Sequence, residues 1–158
     1  MRQRTVGGIV VTLAALLLFV YFVWPPVWLL DPGTYETTNV SVQDANGTEL
    51  TAVEVRIADT RDKRYVGLSE TDSLAADSGM LFVHSEEATQ RYVMRNMSFP
   101  LDIVFIDSDG QITAIRHAAV DDGAKTGRAQ YVLEVNRGWA NATGVERGDT
   151  VVIPESVR

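Results

Sequence analysis

The chain has 158 residues and a formal net charge of −7, with no cysteine. The missing thiols exclude disulfides, thiolate metal sites and a cysteine nucleophile. All 21 Asp and Glu lie from Asp31 onward with twelve of the 14 Lys and Arg, so that part carries −9, repels phosphate backbones and is expected to have no nucleic-acid partner.

Residues 1–30 read as an N-terminal membrane anchor. Val6 to Trp24 is an apolar stretch interrupted only by Gly7, Gly8 and Thr12, and ~20 helical residues cover a bilayer core. Tyr21, Phe22, Trp24 and Trp28 gather at its far end around Pro25-Pro26, where amphipathic rings meet lipid headgroups. Arg2 and Arg4 flank the near side and no Lys or Arg follows until Arg56, so the positive-inside rule predicts a single-pass helix with a cytoplasmic N-terminus and an extracytoplasmic domain. The exit Trp-Pro-Pro-Val-Trp-Leu-Leu lacks a small-residue cleavage site, which favours a retained anchor over a cleaved signal peptide.

Residues 31–49 read as a polar linker carrying two of the chain's four Asn-x-Ser/Thr sequons, at Asn39 and Asn46, the two expected glycosylation positions. Only two lysines, Lys63 and Lys125, stand among the many acids, a balance that resembles proteins of halophilic archaea.

Residues 50–158 form the expected domain, large enough for one core. Val53, Val55 and Ile57 alternate with Glu54 and Arg56, the period of a half-buried strand. Thr60 is placed to cap a short helix that Gly67 stops. Gly79 to His84 reads as a strand apolar on both faces, ended by Glu86-Glu87. A further strand places Tyr92, Met94 and Asn96 on one face, and Leu101 to Ile106 is again apolar on both faces except at Asp102. Asp107-Ser-Asp-Gly110 reads as a hairpin turn into a strand running to about Val120, and residues 121–129 as a polar loop. Tyr131, Leu133 and Val135 mark the next strand, Trp139 to Val145 a helical turn and Thr150 to Ile153 the last strand. The expected fold is mainly β (α+β): a compact, curled, barrel-like sheet with two short helices, preceded by one transmembrane helix.

Several of these stretches together resemble the uncharacterised DUF192 (UPF0127) family. The resemblance rests on Arg64-x-x-Gly67-Leu68, Gly79-Met-Leu-Phe82, Met94-x-Asn96 with Pro100-Leu-Asp102 and Phe105, and Val132-Leu-Glu-x-Asn136-x-Gly138 leading to Gly144 and Gly148-Asp149. It covers residues ~53–153 in family order. Ser69, His84 and Met97 depart from the residues common in the family. The resemblance implies a small, mainly β fold, often membrane-anchored or secreted, and implies no activity.

Two carboxylates in apolar strands draw the eye. Asp102 shares a face with Val104 and Ile106, and Glu134 with Val132 and Asn136. Buried carboxyls have raised pKa values unless cations or donors compensate, so the two could act as an acid/base pair. Equally, each could be satisfied by Arg64, Arg95, Arg137 or backbone N–H groups, with Arg64 the first partner to expect. Met94 and Asn96 could line a cleft with Tyr92, or be core and turn residues; Trp139 could stack on a flat ligand or pack. His84 and His117 lack ligand spacing, Asp107-x-Asp109-Gly110 lacks the rest of a calcium loop, and no phosphate loop, dinucleotide fingerprint or serine elbow is present, so no metal or cofactor is expected.

The function expected is that of a non-enzymatic envelope module binding a small-molecule, glycan or protein ligand through Arg64, Met94, Asn96, Asp102, Glu134 and Trp139. An envelope hydrolase using Asp102 and Glu134, or a purely structural or assembly role, are the alternatives.

Overall fold

The computed structural model describes residues 33–158. The anchor expected over residues 6–24 lies outside the described residues. Among those described, no helix is long and apolar enough to cross a membrane.

Seven strands form one sheet: β1 (Thr37–Gln43), β2 (Glu49–Ala58), β3 (Ser78–Tyr92), β4 (Leu101–Ile106), β5 (Ile112–Ala118), β6 (Lys125–Asn136) and β7 (Thr150–Val152). Their spatial order is β5-β4-β6-β3-β2-β1-β7, with β2 and β3 parallel and the other pairs antiparallel. The sheet curls until its two edges meet. Gln111 bridges Thr150, and Val151 donates to the Gly110 carbonyl at 2.8 Å. The parallel pair is joined through helix α1 (Arg61–Val66), which Thr60 caps by accepting from the Lys63 N–H and which ends at Gly67, φ 53°. Helix α2 (Trp139–Thr143) follows β6 directly.

Alternation assigns each side chain to one face of the curl. The inner face collects Val40, Val53, Leu81, Val104, Leu133 and Val151, one from each of six strands, and Trp139 and Val145 pack against them. Strands β3, β4 and β6 are apolar on the outer face as well, joined by alanines of β2 and β5. There Met80, Phe82, Ile103, Phe105 and Val132 form a second core under Leu68, Met94 and Met97. This double burial is why the β3 and β4 segments read as apolar on both sides.

Three boundaries differ from the sequence reading. The stretch expected as a linker contains β1 and its hairpin turn, because Val40 and Val42 are fully buried between exposed or half-buried Thr, Asn and Ser neighbours. Asn39 therefore lies on an exposed position of a strand, and Asn46 in the turn, where its N–H bonds the Asp44 carboxylate. Residues 125–129, expected as loop, begin β6, and Glu86-Glu87 does not end β3 but marks a register shift between Val83 and Ala88. The shift bends the strand, so that its second half, paired with residues 125–129, leans over the outer core. Gly127 permits that approach, since a Cβ there would fall 2.7 and 2.8 Å from the Phe105 ring carbons Cδ1 and Cδ2.

A buried, unpartnered carboxylate in a cationic cleft

Asp102 and Glu134 stand on adjacent strands but on opposite faces. In the β4–β6 register Asp102 faces Val135, an inner residue, while Glu134 faces Ile103 and Met80, both outer. The acid/base pair expected from sequence does not form, because one residue of register separates the two and strand side chains alternate.

Asp102 is fully buried and fully bonded. Its Oδ1 lies 2.7 Å from His117 Nδ1, across the β4–β5 ladder, and 3.7 Å from Arg137 Nη1. Its Oδ2 accepts from the Gly138 and Ala140 N–H groups at 3.0 and 3.1 Å. Gly138, the N-cap of α2, has no side chain to cap with, so a β4 carboxylate supplies the acceptor instead. Arg64, expected as its partner, is elsewhere: Nη1 donates to the Asp59 and Val83 carbonyls, tying α1 to β2 and β3.

Glu134 is 6% exposed and has no hydrogen-bond or ion-pair partner among the described residues. Burial alone pushes its pKa up to about 8. It sits at the floor of a cleft of about 290 Å³ roofed by α1, the turn after it and the end of β3. Phe82, Leu101 and Met97 give the floor its apolar surface. Tyr92 stands beside the carboxylate, edge-on to Phe82 and Phe105, with its hydroxyl 3.0 Å from His84 Nε2. Burial, and then the Glu134 charge, raise the Tyr92 pKa, while burial and the nearby Arg64 guanidinium lower that of His84. The polar floor group is thus a neutral acid at pH 7, beside a neutral phenol and a neutral imidazole.

Arg95 lines the same cleft. Its guanidinium lies 4.1 Å over the Tyr65 ring and its Nη2 donates to the Tyr65 carbonyl at 2.6 Å, leaving Nε buried without a partner. Of the six binding residues expected from sequence, the cleft gathers Arg64 and Glu134. Met94 is in the outer core, and Asn96 is exposed in a turn rather than on a strand. β3 ends at Tyr92; Met97 N–H reaches back to the Met94 carbonyl, and Asn96 takes the left-handed position with φ 53°, which asparagine tolerates better than most side chains. Asp102 belongs to the inner face. Trp139 is 6% exposed inside the curl, its Nε1 unbonded, and presents no open face for stacking. His84 and Tyr92 went unread as a pair, because only the bend in β3 brings residues eight apart on one strand together.

The family model DUF192, described as an uncharacterized ACR, matches residues 41–153. The chain belongs to the DUF192 family. No curated protein matches it. Two solved structures share the DUF192 fold seen here. A proposed transcription regulator from Sinorhizobium meliloti 1021 is 32% identical with a TM-score of 0.72, over 77% of this chain and 97% of that one. A protein of unknown function from Novosphingobium aromaticivorans DSM 12444 is 27% identical with a TM-score of 0.70, over 78% and 91%. The match includes the motifs that build both carboxylate environments: Leu101-Asp102 and Asn136-x-Gly138 around α2, and Glu134 under Gly67-Leu68.

Proposed function

We propose that this DUF192 chain is a ligand-binding module, held on the extracytoplasmic side of the membrane by residues 6–24, and that the outer cleft is its binding site. The observation that carries the reading is Glu134: a carboxyl group buried on a cleft floor with no partner among the described residues. Buried acids are normally paired and an unpaired one weakens the fold, which supports a ligand as the missing partner. Asp102 makes the contrast, since its four contacts explain it as the brace joining β4, β5 and α2. The placement outside the membrane is supported by the apolar span, the arginines before it and the aromatic belt after it.

Thermal unfolding of the full-length protein in detergent, screened against a panel of small metabolites at pH 8, tests the reading. At least one compound is expected to raise the melting temperature of the wild type by several degrees and to have no effect on Glu134→Leu. The variant alone is expected to melt higher than the wild type. A lower melting temperature for Glu134→Leu would make the residue a structural one and end the proposal.

A further inference from the structure

The chemistry around the cleft narrows what it binds. Three of the twelve cations from Asp31 onward, Arg64, Arg91 and Arg95, line this one cleft, and Glu134 is the sole acid among its lining residues. A part of the chain that carries −9 therefore has a concavity whose fixed charge is positive. Such a local reversal of sign draws in anions against the field of the whole.

Among the described residues the arginines are only partly engaged by the protein. Arg64 uses only Nη1, on two carbonyls, and Arg95 uses Nη2 on one, with its Nε buried and unbonded. Arg91 is exposed on the last turn of β3, at the rim. No lining carboxylate neutralises any of them among the described residues. Below the arginines the surface turns apolar at Phe82, Leu101 and Met97, and ends at Glu134. At about 290 Å³ the space equals about ten water molecules at ~30 Å³ each.

Resting on the reading of this cleft as a ligand site, we propose that its ligand is a small amphipathic organic anion: a carboxylate head held by Arg91 and Arg95, an apolar body against Phe82, Leu101 and Met97, and an inner polar group bonded to Glu134. An arginine fork matches a planar carboxylate, and a desolvated floor favours a compact apolar body over a sugar.

The test uses full-length protein in detergent micelles with ¹³C-methyl methionine. The chain has four methionines, and Met97 lines the cleft while Met80 and Met94 lie in the core beneath. The probes are 4-hydroxybenzoate and 6-hydroxyhexanoate, their neutral amides, and inorganic phosphate. The carboxylates are expected to shift the Met97 methyl with a dissociation constant of about 1 mM or below, and the amides to bind at least tenfold more weakly. Arg91→Glu, an exposed charge reversal, is expected to weaken the carboxylates at least tenfold and the amides by much less. Unmoved Met80 and Met94 signals in the variant report that it has folded. Amides binding as well as acids would overturn the anion while leaving a ligand cleft in place. Phosphate binding as tightly as the carboxylates would overturn the organic body. No Met97 shift with any probe at ~20 mM would overturn this proposal, while a positive metabolite screen that Glu134→Leu abolishes would still uphold the cleft as a binding site.

Discussion

Asp102 and Glu134 occupy neighbouring strands one register step apart, and the fold treats their charges in opposite ways. The first is surrounded by donors and the second by apolar surface, so Glu134 couples folding to pH. Glu134 titrates near 8 when folded and near 4.5 when unfolded, so between these values the unfolded chain has released a proton that the native one keeps. Stability from this group is full below pH ~4.5 and falls by at most about 1.4 kcal/mol per pH unit until about 8, then levels. Glu134→Gln has no such slope. Its melting temperature relative to wild type is therefore expected to climb from pH 5 to pH 8 and stay constant above. A flat difference across that range would mean that the carboxyl finds a charge partner. Asp102→Asn is expected to destabilise throughout, by about 2–3 kcal/mol, since a neutral amide cannot accept on both oxygens from His117 and two backbone N–H groups. The sequence was enough to see that both acids lie in apolar strands. It could not say which was satisfied, because the partners of Asp102 come from residues 15 to 38 positions away.

At the scale of elements, legibility followed composition. β2, β4 and β7 carry clear apolar patterns, and α1 has both its cap and its glycine stop. β1 is strand by virtue of two valines among Thr, Asn, Ser and Gln, and a pattern that thin looks like a linker until β2 and β7 flank it. The halves of β3 and β6 beyond the bend are hidden for another reason: their exposed residues face solvent on one side, and on the other Tyr92 and the small residues Gly127 and Ala129 meet the outer core. The bend is what creates the cleft, so its packing is testable. Gly127→Ala must displace the Phe105 ring or lift β6, and is expected to cost about 1–3 kcal/mol in denaturant unfolding. An unchanged midpoint would mean that the second half of the β3–β6 ladder stands clear of the core.

For the molecule as a whole, surface charge is the dominant long-range term. The excess of acids from Asp31 onward is opposed by few exposed ion pairs, and two of them, Lys63–Asp59 and Lys125–Asp122, are local pairs that do little for the remaining acids. Self-repulsion weakens when the Debye length shrinks from ~10 Å to a few Å. The melting temperature of the full-length protein is thus expected to be higher in ~2 M than in ~0.1 M KCl. Equal values would show that the acids are spaced widely enough not to interact.

The curled sheet is closed by its own ends: β1, from the start of the described chain, lies between β2 and β7, the last strand. A ribosome delivers β1 first and β7 last, more than a hundred residues later. Until then the valines of β1 lack one neighbour and the rim of the curl stands open at Gln111 and Gly110. Hairpins such as β4–β5 can assemble early, but the inner core is sealed only once β7 has been made. A chain stopped before Val151 would leave an open-edged sheet with the inner core unsealed.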